Sequence, residues 1–158
     1  MQVRNAQISE TAMLAQLWFD GWQDAHAAIL PVELARLRTR ESFEERLLRG
    51  LAEVRVIGAV GTPLGFCMLK EDELDQLFVS AQARGSGVAN ALMVDAEARL
   101  AAKGVQTAWL SCAIGNDRAA RFYAKNGWHN TGRFLTAVET TSGPFELEVW
   151  RFEKRLMA

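Results

Sequence analysis

The chain has 158 residues, of which 49% are hydrophobic and 23% charged, with a formal net charge of −1. That length fits one domain over residues 1–158 with enough chain for a sizeable core, and the composition is that of an ordinary globular protein. The balanced charge offers no basic footprint for nucleic acid; no apolar run approaches bilayer-spanning length, and residues 1–5 do not read as a signal peptide, so the expectation is a cytoplasmic protein without nucleic-acid or membrane partners.

Residues 2–8 read as a first strand. A helix follows over 9–23, with Ser9 as its N-cap and Met13, Leu14, Leu17, Trp18 and Trp22 recurring at helical spacing. Pro31 suits the first turn of a second helix that reaches about Leu51, with Leu34, Leu37, Leu47, Leu48 and Leu51 inward. Residues 52–59 and 64–70 flank a Gly61-Thr62-Pro63 turn and read as a hairpin. A further strand covers 73–79. Leu77 and Val79 share one of its faces by period two, whereas Leu74 is out of phase by one residue, so a β-bulge is expected at Asp75-Gln76. The long central helix spans 85–103, with Val88, Leu92, Ala96 and Leu100 as its stripe and Gly104 as its stop. A strand over 106–113, a short helix and a strand near 128–138 follow. Residues 140–144 then turn the chain into a last strand at 145–152. Cys67 and Cys112 stand singly in apolar, strand-like runs and read as buried free thiols rather than a disulfide or a metal site.

The strand at 73–79 opens through a loop, Gln82-Ala83-Arg84-Gly85-Ser86-Gly87, directly into the central helix. Backbone N–H groups at such a junction lack intrahelical partners, point outward together and favour an anion, so this is a candidate pyrophosphate site. Gly85 and Gly87 let a ligand approach the backbone closely, and Arg84 adds a cation. The P-loop pattern G-x-x-x-x-G-K-[ST] is absent, and the dinucleotide pattern G-x-G-x-x-G fails at Asn90. The pattern Q-x-x-G-x-G over 82–87 resembles the acyl-coenzyme A signature of the GNAT superfamily of N-acetyltransferases. A second stretch, Asn116-Asp117-Arg118-Ala119-Ala120-Arg121-Phe122-Tyr123-Ala124-Lys125-Asn126-Gly127-Trp128, resembles that superfamily's other signature, N-x-x-A-x-x-F-Y-x-x-x-G-[FW]. It reads physically as a short helix capped by Asn116 and closed by Gly127. The resemblance is specific over about residues 73–128 and rests on pattern elsewhere.

What the resemblance implies is an α/β fold of the α+β type. A mixed, largely antiparallel central sheet of about seven strands would carry helices on both faces. The activity would be direct transfer of an acetyl group from acetyl-CoA to a primary amine of a small molecule or peptide, in a ternary complex. Acetyl-CoA is then a co-substrate, expected along Leu77, Phe78, Val79, Gln82, Arg84, Gly85, Ser86, Gly87, Val88, Ala89, Asn116 and Tyr123, with its pantetheine arm where the bulged strand splays from the next. The Val79 backbone would donate to the thioester oxygen. Tyr123, the only tyrosine, stands at the family's general-acid position; otherwise it packs its helix on the sheet. Asn116 would bond the pantetheine arm, cap the helix, or do both.

The base is less determined. Glu71, Asp72, Glu73 and Asp75 crowd the start of the bulged strand, with Glu73 and Asp75 nearest the bulge; a solvated acidic loop is the other reading. The cluster suits a cationic acceptor. Trp22 and His26 are expected on the acceptor side, although the spacing of Trp18 and Trp22 also fits core packing. Arg118 and Arg121 either reach CoA phosphates or face solvent, and His129 carries no signal. Cys112 leaves a thioester intermediate open, but nothing pairs it with a histidine. No metal is expected, and a homodimer stays open. Two rival readings remain: a non-catalytic acyl-CoA-binding or sensing module, which needs the loop but not Tyr123, and a dinucleotide-binding oxidoreductase, weakened by Asn90.

Overall fold

The chain runs β1 (Val3–Asn5), α1 (Thr11–His26), α2 (Val32–Leu37), α3 (Arg40–Arg49), β2 (Val54–Ile57), β3 (Gly65–Lys70), β4 (Glu73–Val79), α4 (Val88–Ala102), β5 (Thr107–Ala113), α5 (Asp117–Lys125), β6 (His129–Thr140) and β7 (Gly143–Arg155). These are the elements of a computed structural model that describes residues 1–156. The seven strands form one sheet in the order β1-β2-β3-β4-β5-β7-β6. Every neighbouring pair is antiparallel except β4–β5, which is parallel. The mixed, largely antiparallel sheet with helices on both faces is the expected architecture. Among the described residues no helix is long and apolar enough to cross a membrane.

Alternation along the strands splits the core between the two faces. Phe66 and Met68 of β3 join α1 and α3 on one side, where Trp18 stacks on Phe43 at 4.4 Å between ring centroids. Cys67 and Leu69 face the other way and meet the stripe Val88, Leu92, Ala96 and Leu100 of α4, together with Trp128 and Phe152. Each such large side chain contributes about 1.5–3 kcal/mol by leaving water. Both cysteines are buried and free, as the apolar runs around them predict.

Several boundaries differ from expectation for local reasons. The first strand stops at Asn5, and a single 3-10 turn, Ile8–Glu10, follows. Ser9 lies inside that turn and caps nothing; the Glu10 carboxylate instead accepts the Gln7 N–H at 2.8 Å and a bidentate Arg4 guanidinium at 2.7 and 2.9 Å. The single second helix is in fact two. Pro31 stands at the N-cap of α2 rather than inside its first turn, Arg38 leaves the helical region, and the Thr39 side chain restarts the chain as the N-cap of α3 by accepting the Ser42 N–H at 3.1 Å. The break turns Leu48 outward, and Met13 of α1 is also exposed, so neither belongs to the core.

Glu10 is 1% exposed, which makes its pair with Arg4 a buried one. Arg4 holds the Glu10 carboxyl below the ordinary range, chiefly through the side-chain hydrogen bond. Removing one partner strands the other, so Glu10→Gln is expected to destabilise the fold by about 3 kcal/mol in urea titration at pH 7. A group with a depressed native pKa stabilises above its unfolded value near 4.3 and loses that contribution as pH falls through the native one. The gap between wild type and Glu10→Gln therefore narrows in acid; a constant gap from pH 7 to pH 3 would refute the assignment.

The feature that positions the site is the break between β4 and β5. Met68 opposes Gln76 while Leu69 opposes Leu74, so Asp75 is the extra residue of a β-bulge at the predicted place. Past it β4 bends away from β5: Glu73 opposite Trp109 is the sole registered pair between the two strands. The Ser80 N–H bonds the Leu64 carbonyl at 2.8 Å. By the alternation of an antiparallel ladder, Phe78 also turns its N–H to β3, and Leu77 and Val79 turn theirs toward the open side.

Candidate active site

The loop after β4 has the backbone geometry of an anion cradle. Ala81–Ala83 makes one 3-10 turn, and Gly85 and Gly87 follow at φ +77° and +90°. A Cβ at Gly85 would meet nothing within 4 Å, so these positions need glycine for conformation rather than for space. The N–H groups of Gly85, Gly87, Val88, Ala89 and Asn90 donate to no acceptor among the described residues, which leaves five free donors at a helix N-terminus that lines a groove.

A groove of about 340 Å³ runs from this cradle to the splayed strands. It is lined by Leu77, Phe78, Val79, Arg84, Gly85, Gly87, Val88, Ala89, Asn116 and Tyr123 among the predicted cofactor residues. Gln82 lies on an adjoining groove on the α1 side, and the Ser86 hydroxyl turns back to the Ala83 carbonyl. Arg118 lines the groove and Arg121 does not. Asp24 of α1, which the sequence did not single out, bridges Arg84 at 2.5 Å and Arg118 at 3.4 Å. It holds both guanidiniums beside the cradle in an exposed cluster that a phosphate can take over.

Between β4 and β5 a narrow gap of about 90 Å³ connects this groove with a cleft on the opposite side. Tyr123 lines both gap and groove, its ring held by Phe122 and Phe152 at 5.7 Å each. Its hydroxyl bonds no described residue. Burial raises the phenol well above the ordinary tyrosine range, with Cys112 adding to the rise, so it stays protonated. Burial likewise pushes the Cys112 thiol up to about 12, which makes it inert as a nucleophile at neutral pH.

Asn116 caps α5 by accepting the Ala119 N–H on Oδ1 at 3.2 Å. That fixes its amide, so Nδ2 faces His26 Nε2 at 3.4 Å and donates to it. Nε2 is then the acceptor of the ring and Nδ1 carries the proton. Burial, then the charge of Arg38, pushes His26 down to about 4, so the ring is neutral at pH 7 with its one lone pair engaged. It is therefore a poor base.

The cleft on the far side holds about 620 Å³. Trp22, His26, Glu73 and Asp75, all singled out from sequence, line it, as do Trp18, Arg38 and Arg46. Burial, with Asp75 next, pushes Glu73 up to about 7. Asp75 is also raised by burial, against the pull of Arg46, whose guanidinium lies 3.9 Å away. Glu71 and Asp72 sit at the exposed β3–β4 turn, where Asp72 accepts the Trp109 indole N–H at 3.0 Å. Arg38 and Arg46 were not foreseen, because they lie far along the chain from the acids they face. Among the described residues no group of three or more His, Cys, Asp or Glu is arranged to hold a metal.

The arrangement is thus an anion cradle, an apolar slot with one phenol, and a polar cleft joined in line through an opened sheet. A family model described as the acetyltransferase (GNAT) family matches residues 12–128. No curated protein matches the chain by sequence. Among solved structures, the GCN5-related N-acetyltransferase from Rhodopseudomonas palustris superposes with a TM-score of 0.76 at 21% identity, over 98% of this chain and 94% of that one. The PaiA N-acetyltransferase from Thermoplasma acidophilum, solved with coenzyme A, gives 0.72 at 20% identity over 98% of each chain. YncA from Salmonella typhimurium, a putative acetyltransferase solved with acetyl-CoA, gives 0.67 at 16% identity over 100% and 95%. These likenesses carry the fold, the family match covers most of the chain, and the chain belongs to the GNAT acetyltransferase family.

Proposed function

We propose that the protein transfers the acetyl group of acetyl-CoA to a primary amine by direct attack in a ternary complex. The observation that carries this reading is the continuous path through the sheet, from the cradle at Gly85–Asn90, past Tyr123, to the cleft holding Glu73. The cradle suits the pyrophosphate, with Arg84 and Arg118 released from Asp24 to meet it. The extended pantetheine arm suits the gap, where it would replace β5 as the partner of the β4 edge. The acceptor enters from the far cleft. Glu73 takes the ammonium proton, directly or through water, and the neutral amine attacks the thioester carbon. Negative charge develops on the carbonyl oxygen, toward which the free Val79 N–H is turned. The C–N bond forms, the C–S bond breaks, Tyr123 donates its proton to the departing thiolate, and the second proton lost by the new amide nitrogen restores the phenol through solvent.

Isothermal calorimetry with acetyl-CoA, followed by thiol release across a panel of small amines and peptides, tests the reading. Tight acetyl-CoA binding with no turnover on any amine would favour a sensing module. NADH binding tighter than acetyl-CoA would favour a dinucleotide enzyme. Gly87→Glu places a negative side chain beside the cradle at a φ of +90° that L-residues rarely adopt. It is expected to weaken acetyl-CoA binding more than tenfold in a variant whose circular dichroism is unchanged. Wild-type affinity in that folded variant would sink the phosphate assignment.

A further inference from the structure

Buried polar side-chain atoms nearly always have a partner, so those that lack one point to something absent. Among the described residues four such atoms stand alone, and three of them, Trp18 Nε1, His26 Nδ1 and Arg38 Nε, belong to residues that line the acceptor cleft. All three are donors. An indole nitrogen and a guanidinium nitrogen can do nothing else. The Asn116 contact to Nε2 leaves the proton of His26 on Nδ1.

The cations of the cleft are equally underused. Arg38 is 5% exposed and bonds the Glu139 carbonyl through Nη1 alone. Its Nε–Nη2 edge, the fork that matches a carboxylate, is unspent. The Arg46 guanidinium lies over the Trp18 ring at 4.7 Å, donates to no described residue, and reaches Asp75 only at 3.9 Å. The opposite need is met at the other end. Glu73 and Asp75 supply anions for an ammonium group, and Asp75 lines the gap through which the thioester would be reached, whereas Arg38 lines the cleft alone.

We infer that the acceptor is a small amino acid-like molecule, its amine held at Glu73 and Asp75 and its carboxylate at Arg38, with Arg46 and the Trp18 and His26 N–H groups beside it. This rests on the acetyl-transfer reading and names its substrate class. It replaces the cationic acceptor that the acidic run alone suggests: a polyamine would meet two buried guanidiniums, and a lysine side chain or a peptide α-amine brings no anion next to its nitrogen.

The test is equilibrium binding to the full chain by calorimetry. The ligands are free α-, β- and γ-amino acids, each beside its carboxamide and its decarboxylated amine; the same ligands are then assayed for acetylation. At least one amino acid is expected to bind tenfold or more tightly than both of its counterparts that lack the carboxylate. In Arg38→Gln that ratio is expected to fall at least tenfold, and in Arg38→Lys, which keeps the charge but loses the fork, by less. The wild-type ratio stands as evidence even if a variant fails to fold. Equal binding of acid and carboxamide by the wild-type chain would overturn the inference, as would preference for a peptide or polyamine. An aminophosphonate that outbinds every carboxylate would overturn the carboxylate assignment. Turnover of amides as fast as acids sinks this inference and leaves acetyl transfer standing. Selective binding of amino acids without turnover does the reverse.

Discussion

Tyr123→Phe is expected to lower turnover at least tenfold, and up to the roughly 10²–10⁴-fold that a general acid contributes, while acetyl-CoA affinity stays within a few-fold. The substitution removes one hydroxyl that bonds no described residue and keeps the ring against Phe122 and Phe152. Packing therefore loses almost nothing, and the whole effect falls on the reaction. Burial, however, makes this phenol a weaker acid than a tyrosine in water. Full proton transfer to a thiolate of ordinary pKa, near 8.5, would run uphill. On the proposed path it is feasible because the leaving sulfur would emerge in the same narrow slot, where desolvation would raise its own proton affinity. The loss should accordingly shrink with acyl donors whose leaving thiol is more acidic, since their thiolates need less help. Equal loss across donors would assign Tyr123 a positioning role, and wild-type turnover in the variant would remove it from the chemistry.

The parts of the structure legible in the sequence are those whose signal is local. Gly85 and Gly87 are demanded by backbone angles that few residues accept, and they advertise the cradle. The bulge at Asp75 is written in the phase slip between Leu74 and Leu77, and the splay of β4 from β5 follows from it. Asn116 and Gly127 mark both ends of α5. The break at Arg38 is hidden because leucines recur with helical spacing on both sides, although Thr39, three residues before Ser42, carries a capping signal that could have revealed it. The cleft on the far side of the sheet is hardest to read. Its polar groups come from α1, the α2–α3 break, α3 and β4, and no window of sequence contains them together. The four acids at 71–75 stand out because they are neighbours in the chain. The arginines that balance them do not, so the acidic run alone suggests a cationic acceptor.

Glu73→Gln should abolish the acid limb of the pH–rate profile, lower turnover by about 10²-fold or more, and stabilise the fold at alkaline pH. The three effects share one cause. Burial and the neighbouring Asp75 push the Glu73 carboxyl up to about 7. A base must be ionised to accept a proton, so wild-type kcat/KM should rise with pH and level off above an apparent pKa near 7, with about a tenth of the base available one unit below it. The stability effect has the opposite sign. An unfolded glutamate titrates near 4.3, so between that value and about 7 the native state holds a proton that the unfolded state has lost. Stability therefore falls as pH rises through this window and is flat above it. The neutral isostere is spared that loss, and Glu73→Gln should exceed wild type by about 1–3 kcal/mol at pH 8 and match it at pH 4. Chemical denaturation at the two pH values, beside pH–rate profiles, reads both predictions from the same protein. A variant that is slow but no more stable at pH 8 would mean that Glu73 ionises without cost and that its raised pKa is not the device. If Asp75→Asn moves the acid limb and Glu73→Gln does not, Asp75 is the base. If neither moves it, the proton leaves through water.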